Sequence, residues 1–243
     1  MENFLTLVEV ARCLGLSIPD TERALRKSGL RSSFTSGQRR YLRDDVVEWL
    51  ETEFGSLTAE RLRNMDLSNA STAGLDPSQP FVTRILEAGN IHAAVPARTR
   101  SSMLRSLASL ACESGATYDE RALLEQLEER ESVVSTALPA GVAFPHPRDM
   151  RRIYVEGELL ILARAMSPIP FGAPGGRLTS LFFLLLFPDP SMHLHVLARL
   201  NRLFRDDSLM SGLLEAEDEQ EMLSLVRCVE EALISSAGSA AGS

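Results

Sequence analysis

The chain has 243 residues, of which 44% are hydrophobic and 24% charged, with a formal net charge of -8. These proportions suit a soluble globular protein of two domains, and the negative balance excludes a chain that coats nucleic acid along its whole length while leaving room for a local basic face. The most apolar run, Leu178 to Phe187, is far too short to span a bilayer, and no basic n-region with an apolar h-region opens the sequence, so a cytoplasmic chain without membrane insertion is expected.

Thr6-Leu-Val-Glu9 has the form of a capping box, in which the threonine hydroxyl and the glutamate carboxylate each satisfy an orphan amide. Val10, Ala11 and Leu14 follow at helical spacing, and Gly15 ends the helix. Ser17 caps a second helix that runs through Ala24 and Leu25 to Gly29. Two short strands around a Ser36-Gly37 turn are predicted next, as a small wing. Asp44 then caps a helix carrying Val46, Val47, Trp49 and Leu50.

The order helix, helix, wing, helix resembles the excisionase and MerR-like winged-helix DNA-binding fold over residues 1–54. It is carried by Leu5 to Ser17, by Gly37-Gln-Arg-Arg-Tyr-Leu42 and by Asp45-Val-Val-Glu-Trp-Leu50. The resemblance implies that the second helix enters the major groove with Arg23, Arg26 and Lys27, while Arg39 and Arg40 on the wing reach backbone or minor groove. Basic and acidic residues are nearly balanced up to Glu53, so duplex binding requires the arginines to segregate onto one face. A protein-binding module is the alternative.

Composition changes over residues 55–80. Thr58 to Met65 suits a short connecting helix, and Ser68 to Pro80 reads as a polar, turn-rich linker. The second domain, residues 81–234, opens with a short helix at Val82–Leu86 and a strand at Ile91–Val95. Helices follow from Thr99 to Gly115 and from Asp119 to about Glu131. Tyr154 to Ala163 is strand-like, and Leu181-Phe-Phe-Leu-Leu-Leu-Phe187 lacks alternation, as expected of a strand buried on both faces. His193 to Phe204, Asp207 to Ala216 and Asp218 to Leu233 complete the helices. The tail, residues 235–243, is Gly, Ala and Ser only and is expected to be disordered. The fold class is therefore α/β, with a partly parallel mixed sheet flanked by helices behind a small winged helix-turn-helix domain. Cys13, Cys112 and Cys228 stand in no metal-ligand spacing and each falls in an apolar helical pattern, so buried free thiols are expected.

One histidine stands out. His146 lies in Leu138-Pro-Ala-Gly-Val-Ala-Phe-Pro-His-Pro-Arg148. The prolines fix φ on both sides and push His146 away from helical geometry. An imidazole on a stiff turn serves as nucleophile or ligand, or simply as a surface side chain.

Residues 81 to 233 resemble the enzyme IIA domain of the phosphoenolpyruvate-dependent sugar phosphotransferase system, of the mannitol/fructose type that includes nitrogen-regulatory proteins. The matching segments are Leu127-Glu-Glu-Arg-Glu131, Ser135-Thr136, Gly141 to His146, Phe171-Gly-Ala-Pro-Gly-Gly176, Leu181 to Leu186 and His193-Leu-His-Val-Leu-Ala-Arg-Leu200. The resemblance implies that His146 accepts a phosphoryl group from a phosphorylated histidine carrier protein and passes it to a downstream protein target. It also implies that His193 hydrogen-bonds the phosphoryl oxygens and that Arg130 neutralises charge, with no metal and no organic cofactor. On its residues alone His193 could equally start a helix after Pro190. His195 is offset by about 200° from His193 at 3.6 residues per turn and is expected to face elsewhere. Pro147 replaces the family's usual glycine and removes a backbone N–H. A phosphorylation-incompetent adaptor is therefore the rival reading. Duplex DNA and a second copy of the chain remain open as partners.

Overall fold

The computed structural model describes residues 4–35, 37–86, 88–205 and 207–239. In chain order the elements are β1 (Phe4–Thr6), α1 (Leu7–Leu14), α2 (Ile18–Ser28), β2 (Ser32–Thr35), β3 (Gln38–Leu42), α3 (Arg43–Glu53), α4 (Ala59–Thr72), α5 (Val82–Ile85), β4 (Ile91–Val95), α6 (Arg100–Glu113), α7 (Glu120–Val133), β5 (Val142–Ala143), β6 (Leu159–Ile169), β7 (Thr179–Leu186), α8 (Pro190–Leu203), α9 (Asp207–Glu215) and α10 (Glu219–Ser239). They divide into two compact units. One comprises the chain up to Pro77 together with Asp189–Arg202; the other comprises Ser78–Pro188 and the chain from Leu203 onward. Among the described residues, no helix is long and apolar enough to cross a membrane.

In the first unit the capping box forms as its residues require. Thr6 N donates to the Glu9 carboxylate at 2.7 Å, and Glu9 N donates back to the Thr6 hydroxyl at 3.3 Å. The bonds that the carboxylate accepts from the Thr6 amide and, at 2.8 Å, from the Thr6 hydroxyl hold the Glu9 carboxyl below its usual range. Gly15 ends α1 with φ +59, and a Cβ there would come within 2.5 Å of the Asn64 carbonyl carbon. Glycine is thus required twice over, for the left-handed turn and for the close approach of α4. The sheet order is β1-β3-β2, antiparallel throughout. The predicted wing gains a third strand, β1, too short to announce itself. The Ser36 half of the wing turn lies outside the described residues. Asp44 is not the cap of α3. The helix starts at Arg43 after Leu42, and Asp44 and Asp45 sit in its first turn, where the helix dipole favours them. Leu5, Val10, Leu14, Tyr41, Val46, Leu50, Leu62 and Met65 are buried.

α4 runs to Thr72, beyond Ser68 where polar composition suggests a linker. Its buried positions, Leu62, Met65, Asp66, Asn69 and Ala70, form one helical stripe. Of its polar members, Asn69 uses its side-chain NH2 to tie α4 to α1, donating to the carbonyls of Cys13 and Met65, both at 2.8 Å.

The second unit is built on a four-stranded sheet in the order β4-β6-β7-β5. The outer pairs are parallel and the central β6–β7 pair is antiparallel, the partly parallel sheet that the residue pattern predicts. Every residue of β7 is buried. β6 starts later than the sequence suggests. Residues near Tyr154 are tied instead to the α6–α7 connection, where Thr117 Oγ1 donates to the Tyr154 carbonyl at 2.7 Å and Glu156 N donates to the Ala116 carbonyl at 2.8 Å. The core joins Met103, Leu104 and Leu107 of α6 and Leu123 and Leu127 of α7 to Ile161, Phe182 and Leu184 of the sheet.

Two composition-based expectations fail here. α10 continues to Ser239, into the tail expected to be disordered, because helix propagation needs only backbone bonds once the amphipathic segment has nucleated it. Residues 240–243 of that tail lie outside the described residues. Of the cysteines expected to be buried, Cys13 is, Cys112 is only partly covered, and Cys228 is exposed. An apolar pattern at helical spacing therefore does not by itself place the thiol on the inner face.

Candidate functional site

The turn bearing His146 is fastened to two elements of the second unit. Before the histidine, the Pro145 carbonyl accepts from Leu185 N of β7 at 2.9 Å. After it, Arg148 N donates to the Gln126 carbonyl at 3.2 Å, and Asp149 N donates to the Gln126 side-chain oxygen at 3.1 Å. β5 feeds directly into this turn, and Phe144 packs against Phe183 and Phe204 with ring centroids 6.1 and 6.2 Å away. The imidazole is thus carried between the end of the sheet and the last turns of α7.

Its two nitrogens have distinct partners. Nδ1 lies 2.8 Å from the Phe144 carbonyl, which can only accept, so Nδ1 carries the hydrogen. Nε2 then holds the lone pair, and the Nε–H of Arg130 donates to it at 2.9 Å. Arg130 sits in the last turn of α7, is 2% exposed, and also donates from Nη1 to the Val134 carbonyl at 3.0 Å. Its neighbour Glu131 is buried and accepts from Thr136 N and Thr136 Oγ1, both at 2.9 Å. Phe144 N in turn donates to the Thr136 carbonyl at 3.3 Å. One chain of bonds therefore sets both the guanidinium and the backbone on which the histidine is mounted. His146 is 3% exposed.

The family described as phosphoenolpyruvate-dependent sugar phosphotransferase system, EIIA 2, matches residues 84–228. The chain belongs to this family. A nitrogen regulatory protein of Bradyrhizobium diazoefficiens is 33% identical over 147 residues, which cover 60% of this chain and 94% of that relative. A fructose-specific EIIA component of Haloferax volcanii is 30% identical over 127 residues, covering 51% of this chain and 80% of the relative. Among solved structures, the nitrogen regulatory protein IIA-Ntr of Neisseria meningitidis aligns with a TM-score of 0.55 at 27% identity, over 60% of this chain and 98% of that one. Residues 1–83 lie outside the EIIA match.

The EIIA fold brings together two of the three site residues expected from the sequence, His146 and Arg130. The third, His193, lies on α8 within the first unit, where its Nε2 is 2.9 Å from Glu51 Oε1 of α3. His195 has a different set of partners, as its angular offset predicts: Nδ1 is 2.7 Å from Asp66 Oδ1. Asp66 also accepts from Arg199 Nε at 2.8 Å and from Arg202. Burial alone would push the Asp66 carboxyl up, but the His195 hydrogen bond and the Arg199 charge outweigh it and hold the group below the usual carboxylate range.

In the N-terminal segment, Arg23, Arg26 and Lys27 are exposed on α2. Arg23 is paired with Asp20, and Arg26 Nη2 lies 3.8 Å from Glu22. Two of the five expected basic residues thus have acidic partners on their own helix. Arg39 and Arg40 are successive residues of β3 and so point to opposite faces of the sheet.

Sequence reading missed Gln126, Glu51 and Asp66. Only Asp66 left a readable sign, an acidic residue within the apolar stripe of α4. Gln126 acts through its backbone carbonyl as well as its side chain, and Glu51 acts through a tertiary neighbour; neither is visible in spacing.

Proposed function

We propose that the chain is a regulatory phosphoryl carrier in which His146 accepts a phosphoryl group from a phosphorylated histidine carrier protein. The observation that carries this reading is the pairing of Arg130 Nε–H with the unprotonated Nε2 of His146, while Nδ1–H is pinned to the Phe144 carbonyl. The lone pair of Nε2 attacks phosphorus. The donor's P–N bond breaks, and its electron pair returns to the donor imidazole. The new phosphoimidazole is substituted on both nitrogens and bears the positive charge that the donor ring gives up. The Phe144 carbonyl stabilises that charge through Nδ1–H. Arg130 exchanges the ring nitrogen for a phosphoryl oxygen, a charge-assisted bond that favours the product. His193 is the second phosphoryl-stabilising residue that the sequence resemblance implies. No bound metal or organic group enters this chemistry.

Residues 1–54 are taken as a winged-helix module of the excisionase/MerR type, 55–80 as a connecting segment and 81–234 as the EIIA domain. A module outside the EIIA match favours signalling over bulk sugar transport, as does likeness to a nitrogen regulatory protein. Duplex DNA is the partner proposed for the module. A salt-dependent mobility shift lost on Arg23→Ala and Arg26→Ala would support it, and unchanged mobility across many sequences would sink it.

The phosphoacceptor claim is tested by incubating the chain with the phosphorylated carrier and measuring acid-labile phosphate. Label on the wild type and none on His146→Ala is expected; equal label on both overturns the claim. A second reading, a fixed adaptor that is never phosphorylated, is favoured by Pro147, which offers no N–H beside the histidine, and by the burial of the ring. Failure of the wild type to label would select it.

A further inference from the structure

The β2–β3 hairpin of the first unit carries a charge that its own sequence does not offset. From Arg31 to Arg43 the chain has four arginines and neither aspartate nor glutamate. The sheet register sets Arg39 opposite Phe34, and Arg40 between Ser33 of β2 and Thr6 of β1, so no carboxylate stands opposite either of them across the strands. On α2, by contrast, Arg23 and Arg26 are matched by Asp20 and Glu22.

The two ends of the hairpin are built differently. At its base Tyr41 pairs with Leu5 and both are buried, which fixes the strands to the core. Toward the turn the packing stops. Every residue of β2 is exposed, and Phe34 leaves 75% of its surface in solvent. Phe34 stands one pair short of Thr35 and Gln38, the last pair before the turn. The other residues of β2 are serine and threonine, so Phe34 is not part of an apolar strip that would suit a second sheet or a protein core.

An aromatic ring beside arginine, on a rigid arm without acidic residues, suits nucleic acid. Base faces stack on the ring while guanidinium groups neutralise phosphates. The opposite outlook of Arg39 and Arg40 fits an arm that enters a groove, because both walls of a groove are lined by phosphate. Resting on the duplex reading of the module, we propose that Phe34 is an aromatic wedge. The hairpin sets it against a base step of duplex DNA, and Arg39 and Arg40 hold the phosphates on either side. An apolar ring in that position partly unstacks the step and bends the duplex. The ring adds affinity without charge and the arginines add charge, so salt separates the two contributions.

The test uses the full-length chain and a short mixed-sequence duplex, with affinity measured across a salt series. Phe34→Ala is expected to weaken binding about tenfold, within the range for loss of one stacked base, and to leave the salt slope unchanged. Its thermal midpoint should match the wild type, since the ring is exposed. Arg39→Ala is expected to lower the slope of log affinity against log salt by about 0.9, the value of one phosphate contact. Phe34→Trp is expected to keep wild-type affinity, with emission quenched by the duplex beyond any change seen in the wild type, whose single tryptophan is Trp49. Wild-type affinity in Phe34→Ala, or no added quenching in Phe34→Trp, overturns the wedge and leaves duplex binding standing. An unchanged salt slope in Arg39→Ala overturns the phosphate contact assigned to that arginine. Absence of duplex binding by the wild type overturns the duplex reading, and the wedge with it.

Discussion

Arg130 donates to the nitrogen of His146 that carries the lone pair, across 2.9 Å, from the last turn of a helix whose Gln126 also fastens the backbone beyond that histidine. The guanidinium and the imidazole are therefore oriented by one helix. Preorganised geometry of this kind is costly to rebuild once a member is replaced.

Arg130→Lys should lower the rate of phosphoryl acceptance by about 10- to 100-fold, the value of one hydrogen bond to a charged group. Lysine is a point charge without a planar fork, so it cannot hold the Val134 carbonyl and a phosphoryl oxygen in the same geometry. Initial rates of label incorporation check this; a rate equal to wild type would remove Arg130 from the mechanism.

Pro147→Gly should have opposite effects on stability and reactivity. Loss of the ring's restraint on the unfolded chain should cost about 0.4–1 kcal/mol in denaturant midpoint analysis. The new backbone N–H and the looser turn should raise the labelling rate. If the rate falls instead, proline is part of the working geometry rather than a handicap.

Asp66→Asn leaves buried guanidinium groups without their anion and should cost about 3–5 kcal/mol. The pH dependence has a definite sign. The folded carboxyl titrates below its unfolded value, so its contribution is complete above the unfolded value of about 4 and is lost as pH falls through the lower folded value. Urea midpoints of wild type and Asp66→Asn should differ by a constant amount from neutrality to about pH 5 and converge below about pH 4. A gap that widens on acidification would contradict the assignment.

Glu230 of α10 closes the start of the second unit. Its carboxylate accepts from Phe81 N and Val82 N at 3.0 Å, Thr83 N at 2.8 Å and Thr83 Oγ1 at 2.6 Å. Glu230→Gln replaces a charged acceptor of four bonds with a neutral amide, half of which is a donor. It should cost about 1.5–3 kcal/mol, with the loss of exchange protection centred on Phe81–Ile85.

What the sequence disclosed follows from how far each interaction reaches along the chain. Caps at Thr6, Ser17, Thr99 and Asp119 are local bonds to backbone amides within a few residues, and their spacing makes them readable. The buried strand at Leu181–Leu186 was readable because its residues are apolar on both faces. His146 and Arg130 were legible through resemblance, not spacing, since 16 residues and an irregular segment separate them. The bond from Glu51 to His193 spans 142 residues and joins a segment outside the family to one inside it. No periodicity records such a pairing. The neutralisation of Arg23 and Arg26 by Asp20 and Glu22 was in principle visible, as (i, i+3) and (i, i+4) pairs on α2.

The membership of α8 in the first unit has a consequence for how the molecule comes apart. The polypeptide passes between the units at 77/78, 188/189 and 202/203. A protease that nicks the turn-rich stretch after Thr72 would sever the chain without freeing the N-terminal fragment, because Asp66 would still hold His195, Arg199 and Arg202. The nicked protein should travel as one particle under native conditions and separate into two bands only when denatured. A chain begun at Ser78 would instead carry the cationic face of α8 into solvent with its anion gone.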